Sequence, residues 1–86
     1  MTLPHVTVVG AGQVGATVAH LLVLQGVADV TLVDIVEGLA AGKALDLAKA
    51  AAIEERAVRV SGATDYAAMA GSRLVVVTAG MSSKPG

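Results

Sequence analysis

The sequence predicts an α/β fold built on a parallel sheet, and three observations carry that prediction. Aliphatic, largely β-branched runs stand at 6–9 (VTVV), 30–33 (VTLV) and 74–77 (LVVV). Longer stretches of helical composition lie after the first two runs, at 13–24 and 38–52. The run at 74–77 has no polar alternation, as expected of a parallel strand covered on both faces. Strands alternating with helices imply a parallel sheet joined by right-handed crossovers. The expected arrangement has about four strands in the order 3-2-1-4, part of a doubly wound fold.

The first strand, 6–9, is short and runs straight into glycine. Over 13–24, Val14, Val18, Leu21 and Leu22 recur at i, i+4, i+7 and i+8, the spacing of one apolar helix face, and Gly26 supplies the stop. The second strand ends at Asp34. In the helix over 38–52, Lys43, Asp46 and Lys49 form a narrow polar stripe in an Ala/Leu background, which predicts cover around much of its circumference. Residues 57–61 alternate, and Arg59 among them tolerates solvent, so they read as an edge strand. Residues 66–70 supply about one helical turn before the fourth strand. Both long helices fall on one side of the sheet and little is left to cover the other. Residues 1–86 therefore read as the N-terminal part of a domain in a longer protein.

A chain of 86 residues makes at most one small domain. Such a chain buries roughly 60–65% of its unfolded surface. Packing falls to Ala, Val, Leu and Gly, since Tyr66 is the only aromatic residue. There is no cysteine, hence no disulfide framework or thiolate metal site, which fits a reducing, cytoplasmic compartment. A formal net charge of −1 without a Lys/Arg cluster leaves no electrostatic footprint for nucleic acid. Residues 6–25 contain no Asp, Glu, Lys or Arg. They lack a basic leader, however, and Gly10, Gly12, Gln13, Gly15, Thr17 and His20 dilute them, so a membrane span or signal peptide is not expected.

The glycines after the first strand have the spacing G-x-G-x-x-G, and each has a physical use there. Gly10 permits the tight turn, Gly12 lets backbone approach a diphosphate, and Gly15 lets the helix pack closely. An anion at that helix N-terminus is favoured by unpaired N–H groups and by the dipole, without any basic side chain. Asp34, at the end of the second strand and nineteen residues beyond Gly15, provides an independent check. A carboxylate there accepts hydrogen bonds from ribose hydroxyls and repels a 2′-phosphate. Ile35 and Val36 offer no arginine for such a phosphate, so NAD is expected rather than NADP. The plainer reading of Asp34 is a turn or cap residue. The pattern as a whole is that of a Rossmann-type dinucleotide-binding segment.

Two further stretches, LVDIVEGLAAGKALDL (32–47) and VVVTAGMSSKPG (75–86), resemble the malate dehydrogenases of the lactate/malate dehydrogenase superfamily, in their lactate-dehydrogenase-like bacterial branch. The likeness runs through the chain in order, from G-A-G-x-V-G to K-P-G. It implies hydride transfer between NAD and a 2-hydroxy acid, malate to oxaloacetate, in a protein that acts as a homo-oligomer. It implies that the backbone of Gly10, Ala11, Gly12, Gln13, Val14 and Gly15 holds the pyrophosphate, that Asp34 with Ile35 meets the adenosine, and that Thr78, Ala79 and Gly80 line the cofactor cleft. The plainer reading of those last three is a turn ending the strand. The Ala/Leu-rich helix suits a subunit interface or simply covers its own sheet.

The catalytic histidine, aspartate and arginines of that family have no match in this chain, and the resemblance implies that they lie beyond Gly86. His5 and His20 read as surface or packing residues. No metal site is expected. One departure bears on the substrate: Ser82 and Ser83 stand where the family has Pro-Arg. At the substrate-binding arginine position, Ser83 donates one neutral hydrogen bond but not a bidentate, charge-assisted pair. Lactate or another 2-hydroxy acid therefore stays open as substrate. A regulatory module that senses dinucleotide without chemistry needs the glycines and the acid too, but has no use for G-K-A-L-D-L or K-P-G. A flavin module has only the glycine loop in its favour.

Overall fold

The computed structural model describes residues 3–10, 12–36 and 38–78. Strands β1 (His5–Val9), β2 (Asp29–Val33), β3 (Val60–Ala63) and β4 (Leu74–Val77) form one parallel sheet in the order β3-β2-β1-β4. Helices α1 (Gln13–Gln25) and α2 (Leu39–Ile53) make the first two crossovers, and a 3₁₀ turn, Tyr66–Met69, lies in the third. Class, strand order and element sequence are those expected.

One sheet face carries Val6, Val8, Val30 and Leu32 against Ala19 and Val23 of α1 and Ala40, Ala44, Leu47 and Ala51 of α2. Both helices lie on this face. Burying a side chain such as Val8 or Leu32 contributes about 1.5–3 kcal/mol, and the alanines between them bring the helices close to the strands.

On the opposite face the buried Thr7 and Thr31 keep their hydroxyls partnered. Thr7 meets Ser72, while Thr31 lies 2.6 Å from His5 Nε2 and 3.1 Å from the Ser61 hydroxyl. An unpartnered hydroxyl in either place would cost about 1–3 kcal/mol. Ser72 belongs to the β3–β4 connection, so that connection crosses the face away from the helices. A right-handed crossover returning over β2 and β1 requires that side.

Two sequence expectations are corrected. Helix α1 turns Gly15, Ala19 and Val23 inward, with Val18 and Leu22 at the margin, whereas Val14 and Leu21 are 55% and 56% exposed. Small residues take the inward stripe because the distance between packed elements is set by the side chains at the contact. Helix α2 buries only Ala40, Ala44, Leu47 and Ala51; Leu45 and Ile53 stand 58% and 79% exposed, so the polar stripe is not its sole outer surface. Strand β4 is an edge of the described sheet: Val76 packs on the core and Val77 is 66% exposed, in keeping with the expected shortage of cover on the second face.

Strand β3 is the other edge, as expected, but begins at Val60 rather than Ala57. Arg59 is already committed, its N–H donating to the Asp29 carboxylate at 2.9 Å and its carbonyl accepting from Val30 at 2.9 Å. The strand then continues through Gly62, where a Cβ would lie 2.7 Å from Ala41 N and closer still to the Ala40 carbonyl. The first turn of α2 thus rides directly on β3.

Candidate dinucleotide cleft

The C-terminal ends of β1, β2 and β4 open onto a cleft of about 560 Å³, lined by Val9 and Val33 among others. Strand β1 gives way to Gly10, whose φ of +99° is a conformation that glycine adopts without strain. The Gly10 N–H donates to the Val33 carbonyl at 2.7 Å, fastening the bend to the end of β2. Gly12 is the N-cap of α1, extended, with no side-chain cap and no acid in the first turn. The first intrahelical bond runs from Ala16 N to Gly12 O at 2.9 Å. The amides ahead of it form the bare, partly positive end of the helix.

Gly12 and Gly15 are glycines for opposite reasons. A Cβ on Gly12 would meet nothing within 4 Å, so the bend is open to an approaching ligand. A Cβ on Gly15 would strike the Gly10 carbonyl and come within 3.1 Å of the Thr78 hydroxyl. Thr78 follows β4, and its N–H donates to Val9 O at 2.8 Å.

Asp34 lines the same cleft from the end of β2. Its N–H donates to the Ala63 carbonyl at 3.0 Å, and its Oδ1 accepts the Val36 N–H at 2.9 Å. The turn role and the cleft position therefore coincide, where the sequence posed them as alternatives. Ile35, exposed beside it, lines the cleft as well. Gly10, Gly12, Gln13, Val14, Gly15, Asp34, Ile35 and Thr78 are thus brought to one cleft. Ala11, Ala79, Gly80 and Ser83 lie outside the described residues.

Sequence reasoning missed Tyr66, Val36 and Leu39, which also line the cleft. Tyr66 carried a signal, being the only aromatic residue, half exposed on a short 3₁₀ turn. His5 is spent on Thr31, and His20 borders an adjoining groove between α1 and α2 with Thr17, Lys43 and Asp46, which meets the cleft at Gly12, Gln13 and Leu39. Among the described residues no cluster of three or more His, Asp or Glu could hold a metal, and no helix is long and apolar enough to cross a membrane. The cleft's chemistry is that of a binder, with amides for an anion and a carboxylate for hydroxyl groups.

Known proteins are similar to this chain in sequence and in fold. The family described as lactate/malate dehydrogenase, NAD binding domain, matches residues 4–86. A malate dehydrogenase of Dehalococcoides mccartyi is 46% identical over 84 residues, covering 98% of this chain and 27% of that protein. The crystal structure of Cryptosporidium parvum malate dehydrogenase superposes with a TM-score of 0.91 at 36% identity, over 99% of this chain and 27% of that one. The lactate dehydrogenase of the same organism, solved with lactic acid and β-nicotinamide adenine dinucleotide, gives 0.90 at 37% identity over 100% of this chain and 26% of that one. The chain thus spans about 27% of the length of the relatives it matches. It belongs to the lactate/malate dehydrogenase NAD-binding domain family.

Proposed function

We propose that this chain is the cofactor-binding part of a malate dehydrogenase that works in the cytoplasm. The observation that carries this reading is the single cleft shared by the glycine bend and Asp34. The backbone from Gly10 to Gly15 would hold the diphosphate of NAD, with the α1 N-terminus supplying the favourable potential. The Asp34 carboxylate, steadied by the Val36 amide, would accept the ribose hydroxyls and repel a 2′-phosphate. Thr78 lines the cleft from the end of β4, and the resemblance adds Ala79 and Gly80. When bound, NAD would supply the acceptor for the hydride of a 2-hydroxy acid and, in its reduced form, the donor to the corresponding 2-oxo acid. The base and the substrate-clamping arginines would come from residues that this chain does not contain.

Malate is favoured as substrate because relatives such as that of D. mccartyi bear the name malate dehydrogenase. Ser83 at the family's arginine position weakens malate and keeps another 2-hydroxy acid open without itself favouring lactate; the likeness to a lactate dehydrogenase is what supports that second reading. The exposed Leu45 and Ile53 on α2 support an oligomer, and the net charge of −1 offers nothing to nucleic acid.

Calorimetric titration with NAD and NADP tests the cofactor reading. The chain is expected to prefer NAD by about tenfold or more, since a like charge is set against the 2′-phosphate. Asp34→Ala and Asp34→Asn are expected to abolish that preference, the asparagine while retaining an acceptor for Val36. Equal binding of both dinucleotides by the parent chain would contradict the reading. Malate-dependent NADH formation by the 86-residue chain alone would contradict the division of labour.

A further inference from the structure

We propose that Thr78 is a positioning residue of the cleft, its hydroxyl holding the Gly10 carbonyl so that the glycine bend keeps the shape a diphosphate needs. The inference takes its ligand from the cofactor reading above and its geometry from the chain itself. With φ at +99°, Gly10 places its carbonyl between the first turn of α1 and the end of β4, in the space that a Gly15 side chain would fill. The Gly10 N–H is committed to Val33 O. The Thr78 hydroxyl lies 3.1 Å from Gly10 O and 3.0 Å from Val9 O. The one hydroxyl proton is thus shared between the two carbonyls, and Val9 O has the Thr78 N–H at 2.8 Å as a further donor. A planar peptide follows its carbonyl, so fixing this oxygen fixes the plane through which the chain enters the bend. Bend, helix N-terminus and β4 are fastened at one point.

Thr78→Val keeps the side-chain shape and removes the donor, whereas Thr78→Ser keeps the donor. Binding of ADP and of adenosine is measured by calorimetry, and amide hydrogen exchange is followed in the free protein. In the valine variant ADP affinity is expected to fall about tenfold, the usual scale for an acceptor left without its donor, with adenosine binding held within about twofold. The Gly10 amide is expected to exchange faster while that of Leu32 does not change. The serine variant is expected to restore both readouts. The proposal is overturned if the valine variant keeps ADP affinity and Gly10 protection, if adenosine binding falls as much as ADP binding, or if serine behaves as valine does. A parent chain that binds neither ligand overturns the cofactor reading instead, and hydrogen exchange then decides whether Thr78 holds the bend.

Discussion

Gly15 and Gly62 stand in two regions of the molecule under the same steric demand: the backbone of another segment occupies the place of a side chain. At Gly15 that segment is the Gly10 carbonyl, and so the wall of the cleft. At Gly62 it is the first turn of α2 at Ala40 and Ala41, and so the joint between a helix and an edge strand. Gly12, by contrast, has nothing within 4 Å of its missing Cβ. A missing side chain serves the fold at Gly62 and, on the cofactor reading proposed above, an incoming ligand at Gly12 and both at Gly15.

Substitution by alanine separates these cases. Gly15→Ala is expected to have the largest effect. A methyl group forced onto a backbone carbonyl costs about 3 kcal/mol or more, beyond ordinary overpacking. A chain of this size is stabilised by about 4–13 kcal/mol. Urea unfolding should show the loss, and ADP binding should vanish with it. Gly62→Ala comes next, at about 2–3 kcal/mol, because the α2 backbone must retreat from β3. In the protein that stays folded, ADP affinity should hold within about twofold, since overpacking at this joint is a strain on the fold. If ADP binding disappears while the fold persists, the two regions are not separable. Gly12→Ala should be mildest for stability, about 1 kcal/mol or less, as expected for a change of N-cap residue. It should still lower ADP affinity at least about tenfold by excluding the ligand. An alanine there that binds ADP normally would leave Gly12 without a role.

These glycines also show which parts of the molecule were legible in the sequence. The spacing G-x-G-x-x-G marked Gly15, and the element order was readable because β-branched runs and helical stretches alternate cleanly. Gly62 was invisible: Ser61-Gly62-Ala63 has weak strand composition, and its reason for pairing is a contact with α2 more than twenty residues earlier. The inward face of α1 was misjudged for a related reason. Apolar spacing counts large residues, whereas the sheet accepts the small ones, Gly15, Ala19 and Val23. At the site, Asp34 could be placed by its distance from the glycines, but Tyr66 could not. Tyr66 reaches the cleft because the third crossover passes over the face opposite the helices; the strand order was expected, but not which residue of that crossover would meet the strand ends.

The most direct measurement follows the backbone amide resonances of the chain as ADP is added. The amides of Gly10, Gly12 and Gly15 should shift together with those of Asp34 and Ile35 along one binding curve, while His20 and Lys43 in the α1–α2 groove stay in place. Shifts confined to either wall of the cleft, or centred on that groove, would contradict the claim that one ligand joins the glycine bend to Asp34.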